Sequence, residues 1–184
     1  MNLAFDEAKA TQTAAAFLRL AGGPLQHLAL IKLLYKADRE ALRRWGLPIT
    51  TDRYASLKFG PVTSRIYDLI KASGNPGAHP TFWSRHITKA GPYNVVLSSD
   101  PGDSELSRAE SRLIAELFAS DGAKDGFKLA EETHRDFPEW KYPGESSTPI
   151  EISDILEALG VSEDEALHTE SAIAAQMAAR DLAI

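Results

Sequence analysis

The segment from Leu25 to Trp45 constrains this chain more than any other. Leu28, Ile31, Leu34, Tyr35, Ala41, Leu42 and Trp45 recur at spacings of three and four, and Leu30, Leu33 and Ala37 widen the stripe. A helix apolar over so much of its circumference must be surrounded by other elements. The pattern predicts a central helix over about residues 25–45, with Pro24 suited to its first turn and Gly46 ending it.

The flanking segments read as smaller pieces arranged around that helix. Phe5 to Leu20 is a helix stopped at Gly22-Gly23, and Arg53 to Phe59 holds a brief strand. Gly60-Pro61 opens a third helix, with Pro61 at its first position, which ends in the loop Gly74-Asn75-Pro76-Gly77. Phe82 to Ala90 and Tyr93 to Ser98 read as two strands around the turn Gly91-Pro92, and this hairpin is the one clear β element. Ser107 with Glu110, and Ser162 with Glu165, have capping-box spacing and begin two further helices. Phe127 to His134 and Ser153 to Leu159 are short helices, with a loop from Asp136 to Thr148 between them. The expected fold is mainly α with a small antiparallel β-hairpin (α+β), a compact single domain around the central helix. The candidate boundary is Gly160-Val161. It divides residues 1–160 from a C-terminal Ala-rich helix in 161–184, whose large apolar residues are Leu167, Ile173 and Met177 and which is expected to dock weakly.

Charge is divided unevenly. Residues 1–99 carry 13 Lys and Arg against 6 Asp and Glu, and residues 100–184 carry 7 against 20. The acidic half repels phosphate and favours a basic or neutral protein surface. No cysteine is present, which excludes disulfides, thiolate zinc sites and cysteine nucleophiles. No apolar run of about 18 residues is present, and the first ten residues lack a secretory pattern, so a cytoplasmic protein is expected.

Catalytic spacings are missing. There is no phosphate-binding Gly-Lys-Ser/Thr loop and no nucleophile elbow, and the five histidines are scattered. His134 near Glu131 and Asp136 reads as a structural histidine rather than a base or ligand. An enzyme is not expected, and neither is a cofactor. Lys32, Lys36, Arg39 and Arg43 stripe one face of the central helix. That stripe is either a footprint for nucleic acid or the polar face of an amphipathic helix, and the acidic half favours the second reading. Asp38 lies near the apolar face and needs a basic or hydroxyl partner, for which Arg53 and Tyr54 are the candidates.

The run from Ile31 to Glu40, with Lys32, Tyr35, Asp38 and Arg39, resembles the "KLLYxADRE" helix of Panacea-domain (SocA-like antitoxin) proteins. Arg43 to Thr50 resembles that family's "yGrPIT". Asp52-Arg53-Tyr54, Lys58 and Gly60-Pro61-Val62-Thr63-Ser64 resemble its "DRYxAxKxGPVpS", followed by Tyr67-Asp68-Leu69. Thr133-His134 with Trp140 is similar to its "sHxxxxW" element, and Pro149-Ile150 with Asp154-Ile155-Leu156 to its closing segment. The resemblance runs in order over about residues 10–160 and is densest from Lys32 to Leu69. The chain departs from the pattern at Lys36, where an apolar residue is usual, and at Thr63, where proline is common.

The resemblance implies an antitoxin that pairs with a cognate protein toxin and neutralises it by direct binding. It also implies a second mode, delivery of the toxin to a AAA+ protease, and a phage-associated setting. A DNA-binding regulator using the basic face is the third reading. The positions carried over, as fold-encoding or partner-binding, are Lys32, Tyr35, Asp38, Arg39, Arg53, Tyr54, Lys58, Gly60, Pro61, Tyr67, His134 and Trp140, with no catalytic or metal-binding residue among them.

Overall fold

A computed structural model describes residues 5–75, 77 and 79–181 of the chain. In chain order the elements are α1 (Glu7–Ala21), β1 (Leu25–Gln26), α2 (His27–Trp45), β2 (Tyr54–Leu57), β3 (Gly60–Thr63), α3 (Ser64–Ala72), α4 (Phe82–His86), β4 (Ile87–Ala90), β5 (Asn94–Leu97), α5 (Arg108–Asp121), α6 (Gly126–Asp136), β6 (Thr148–Ile150), α7 (Ile152–Ala158) and α8 (Glu163–Asp181). The fold is mainly helical, with two small antiparallel sheets ordered β1-β5-β4 and β3-β2-β6.

The central helix is as expected. Every residue of α2 from Ala29 to Tyr35 is buried, and the helix packs on α1, α5, α6 and β3. Leu30, Ile31, Leu33 and Leu34 belong to the main apolar cluster, with Phe17, Ile66, Trp83, Leu113 and Leu129. Tyr35 and Leu42 belong to a second cluster with Tyr54, Ile150, Ile155 and Leu156. One helix therefore serves two cores, which is why its apolar stripe is so wide.

Three boundaries differ from those expected of the sequence. Pro24 does not start α2, because Leu25 and Gln26 first pair with Val95 and Asn94. Gly60-Pro61 does not open a helix either. Tyr54–Leu57 and Gly60–Thr63 form a hairpin closed by Lys58-Phe59, with Ser56 opposite Pro61, and α3 begins only at Ser64. Gly60 has φ +95° at this turn, so its role is hairpin closure rather than helix initiation. Phe82–His86 is a helix, started by a reciprocal Thr81–Ser84 capping box, so the first hairpin strand shortens to Ile87–Ala90. The hairpin around Gly91-Pro92 is present but is not the only β element, since β6 adds to β2 to complete the second sheet.

At the C-terminus, α8 packs on α7, with Ala166 and Ile173 in the second apolar cluster. Leu167, one of the few large apolar residues of this helix, is half exposed. The side chain of Met177 and residue Pro76 lie outside the described residues.

Candidate functional site

Two buried carboxylates fasten the segment that leaves α2. The Asp38 carboxylate is fully buried and accepts from the backbone N–H of Ile49 and of Thr50, both at 2.9 Å, from the Thr50 hydroxyl, and from the Tyr54 hydroxyl at 3.0 Å. The hydroxyl partner expected at Tyr54 is there. Arg53 is exposed and takes no part, because the two backbone amides and Thr50 already fill the acceptor sites. Burial pushes the Asp38 carboxyl up from its ordinary range, against the pull of its donors.

Asp52 repeats the device further along the segment that follows α2. Its carboxylate accepts from the backbone N–H of Arg53, Arg65 and Ile66, so it caps the first turn of α3 from a distance in sequence. The sequence reading missed this role, since the cap lies 12 residues upstream of the helix it serves.

A second cluster joins α2, the β2–β3 hairpin and α6. Lys32 is fully buried and its Nζ donates to the Pro61 carbonyl at 2.7 Å. A Cβ on Gly60 would sit 2.7 Å from Thr133 Oγ1 and 2.8 Å from Lys32 Nζ, so the turn, α2 and α6 meet at that glycine. The His134 ring stacks on Trp140 with centroids 3.9 Å apart and planes 8° from parallel. Trp140 Nε1 donates to the Leu57 carbonyl at 2.9 Å, which ties the loop after α6 to the hairpin. His134 Nε2 is buried without a hydrogen-bond partner, and its proton affinity is lowered by burial and by the Lys32 charge.

These groups give a pH signature. Burial lowers Lys32 from 10.5 to about 7, so the unfolded chain holds the lysine proton over a range in which the folded one does not. Stability should therefore rise as pH increases from 7 towards 10. Asp52 is raised from 3.8 to about 6, so the folded chain keeps that proton longer and its contribution falls as pH rises between those values. The urea midpoint of the wild type is expected to climb between about pH 7 and 9, and Lys32→Met to flatten the climb. An equal climb in the variant would place the titrating group elsewhere.

The basic stripe of α2 does not form a free cationic face. Lys32 is interior, Lys36 pairs with Asp121 and, at 3.7 Å, with Glu132, and Arg39 binds the buried Glu139 at 2.7 Å while lying 4.3 Å over the Phe137 ring. Glu139 also accepts from the Tyr35 hydroxyl at 3.0 Å, and Tyr35 meets the Tyr54 ring edge-on at 5.5 Å. Arg43 pairs with Glu40 on the same helix. Within the stripe, Lys36 and Arg39 thus pair with acidic residues of the C-terminal half, and Arg43 with Glu40 of its own helix.

A groove of about 690 Å³ opens beside the β2–β3 hairpin, the start of α2 and the start of α6. Ile31, Leu57 and Val62 lie along it, and Phe59, Tyr93 and Phe127 project at its margins. These three aromatics are 50%, 70% and 64% exposed, and Phe59 and Phe127 meet edge-on at 5.9 Å. Fixed hydrogen bonds set the walls: His27 N–H donates to the Tyr93 carbonyl at 2.8 Å, and Gly126 N–H to Gln26 Oε1 at 2.9 Å. A Cβ on Gly126 would lie 2.7 Å from Leu28 Cβ, so α6 can approach α2 this closely only with glycine there. Tyr67 and Lys58 also line the groove, and Lys58 pairs with Glu145 at 2.6 Å.

Sequence reasoning singled out Lys58, Gly60 and Tyr67 of this region and missed the three aromatics. Phe127 carried a signal, since it lies off the stripe of Leu129, Ala130 and Thr133 that α6 buries. Among the described residues, no group of three or more His, Asp or Glu is placed to hold a metal, and no helix is long and apolar enough to cross a membrane.

The chain is an α+β domain whose motif residues mostly face the core, with an apolar groove at its surface. The family model described as "Antitoxin SocA-like, Panacea domain" matches residues 30–141, and the chain belongs to that family. No curated protein and no solved structure matches it.

Proposed function

We propose that this chain is an antitoxin that neutralises a co-encoded toxin by binding it directly, without catalysis or cofactor. Family membership supports a toxin as the partner. The observation that carries direct binding is the groove itself. Three large aromatics stand exposed on a frame pinned by a backbone hydrogen bond and by the Gln26 side chain, although burying them within the domain would have been favourable. A preorganised apolar surface of this kind loses little conformational freedom when a partner covers it.

The paired and buried state of Lys32, Lys36, Arg39 and Arg43 does not favour the nucleic-acid reading. The test is expression of the adjacent gene alone and together with this chain. Growth should stop in the first case and recover in the second. Continued killing with the chain present at equal or higher level would refute the proposal.

A further inference from the structure

We infer that the groove takes one amphipathic helix of the toxin, inserted through an uncharged apolar face; this rests on the reading of the chain as a toxin-binding protein. Four observations select that occupant.

The first is shape. The groove is concave, and a two-fold dimer brings the same patch of each copy together, so two grooves facing one another would enclose a void. Its volume of about 690 Å³ lies in the range of concave sites that take a compact inserted element. The occupant is therefore a convex segment of a different protein.

The second is the state of the backbone around it. In β3, which contacts α2 and α6, Pro61 has no N–H and its carbonyl already accepts from Lys32 Nζ at 2.7 Å, and β1 is two residues long. A partner strand finds no ladder to extend here, so recognition must run through side chains. A helix presents its side chains without needing backbone partners, with anchors at i, i+3 or i+4, and i+7.

The third is the placement of the aromatics. Phe59 sits at the tip of the β2–β3 hairpin, Phe127 in the first turn of α6, and Tyr93 at the β4–β5 turn. They come from three separate elements and border one trough with apolar residues along it. Rigid aromatic margins of this kind grip a ridge of Leu, Phe or Met side chains.

The fourth is charge. The lysine and glutamate that line the groove, Lys58 and Glu145, pair with each other at 2.6 Å. They offer a helix neither an attracting cation nor an attracting anion, so its inserted face is neutral and binding should respond weakly to salt.

The test compares wild type, a groove variant (Phe59→Ser with Phe127→Ser) and a control variant (Leu167→Ser, a half-exposed apolar residue on α8). All three should melt alike, because the replaced side chains are largely exposed; a groove variant that fails to fold is replaced by Tyr93→Ser with Phe127→Ser. Overlapping peptides of about 20 residues spanning the toxin are titrated against each. One peptide, with apolar residues at helical spacing, should bind wild type and the control and gain helicity on binding. The groove variant should bind it, and the intact toxin, about 100-fold more weakly. Wild-type affinity should change by less than about threefold when salt is raised tenfold. Equal toxin affinity for wild type and the groove variant would overturn the inference, as would a bound peptide of alternating, strand-like pattern. If wild type neutralises no toxin at all, it is the antitoxin reading that fails, and the groove is then probed with a designed neutral amphipathic helix of about 18 residues. Binding about tenfold weaker to the groove variant would uphold the groove. No binding, or equal binding, would overturn it.

Discussion

Asp38→Ala should destabilise the domain by about 3–5 kcal/mol, because four donors lose their acceptor in one step. Ile49 N–H, Thr50 N–H, the Thr50 hydroxyl and the Tyr54 hydroxyl all point at that carboxylate, and the site is fully buried. Water cannot replace the lost oxygen atoms without opening the turn that follows α2. Asp38→Asn should cost much less, since its amide oxygen keeps two of the donors satisfied. Urea unfolding measures both. An Asp38→Ala variant within about 1 kcal/mol of wild type would mean that these donors find other partners.

Gly60→Ala should cost about 2–5 kcal/mol, from two separate causes. The residue has φ +95°, outside the range comfortable for an L side chain, and a new Cβ would press on Thr133 Oγ1 and Lys32 Nζ. The causes can be separated. Thr133→Ala in the Gly60→Ala background removes one clash but leaves the dihedral strain, so it should recover part of the loss and not all of it. A Gly60→Ala variant as stable as wild type would show that the hairpin and α6 do not meet as closely as described.

The central helix and the overall class were legible because burial leaves a periodic trace. Ile31, Leu34 and Leu42 repeat with the helix, and nothing else in the chain competes with that signal. Asp38 was legible for the same reason, as a charge placed against an apolar stripe. What the sequence could not show were long-range pairings without local periodicity. Glu139 closes on Tyr35 and Arg39 from about 100 residues away, and Asp52 caps α3 from across a hairpin. Local propensity misled at Gly60-Pro61, where helix-start chemistry matched a turn equally well and the tertiary partners Lys32 and Thr133 decided the outcome. The resemblance from Lys32 to Leu69 identified the family, yet most of its residues turned out to hold the fold together. The groove aromatics Tyr93 and Phe127 stand outside that dense block.

The most direct measurement is calorimetric titration of purified toxin into this purified chain, with no protease and no nucleotide present, followed by assay of the toxin's activity in the mixture. The account predicts a defined complex with a dissociation constant of about 1 μM or below and loss of toxin activity in proportion to complex formed. The contradicting result is a toxin that stays fully active at saturating chain, with protection in cells that depends on a protease.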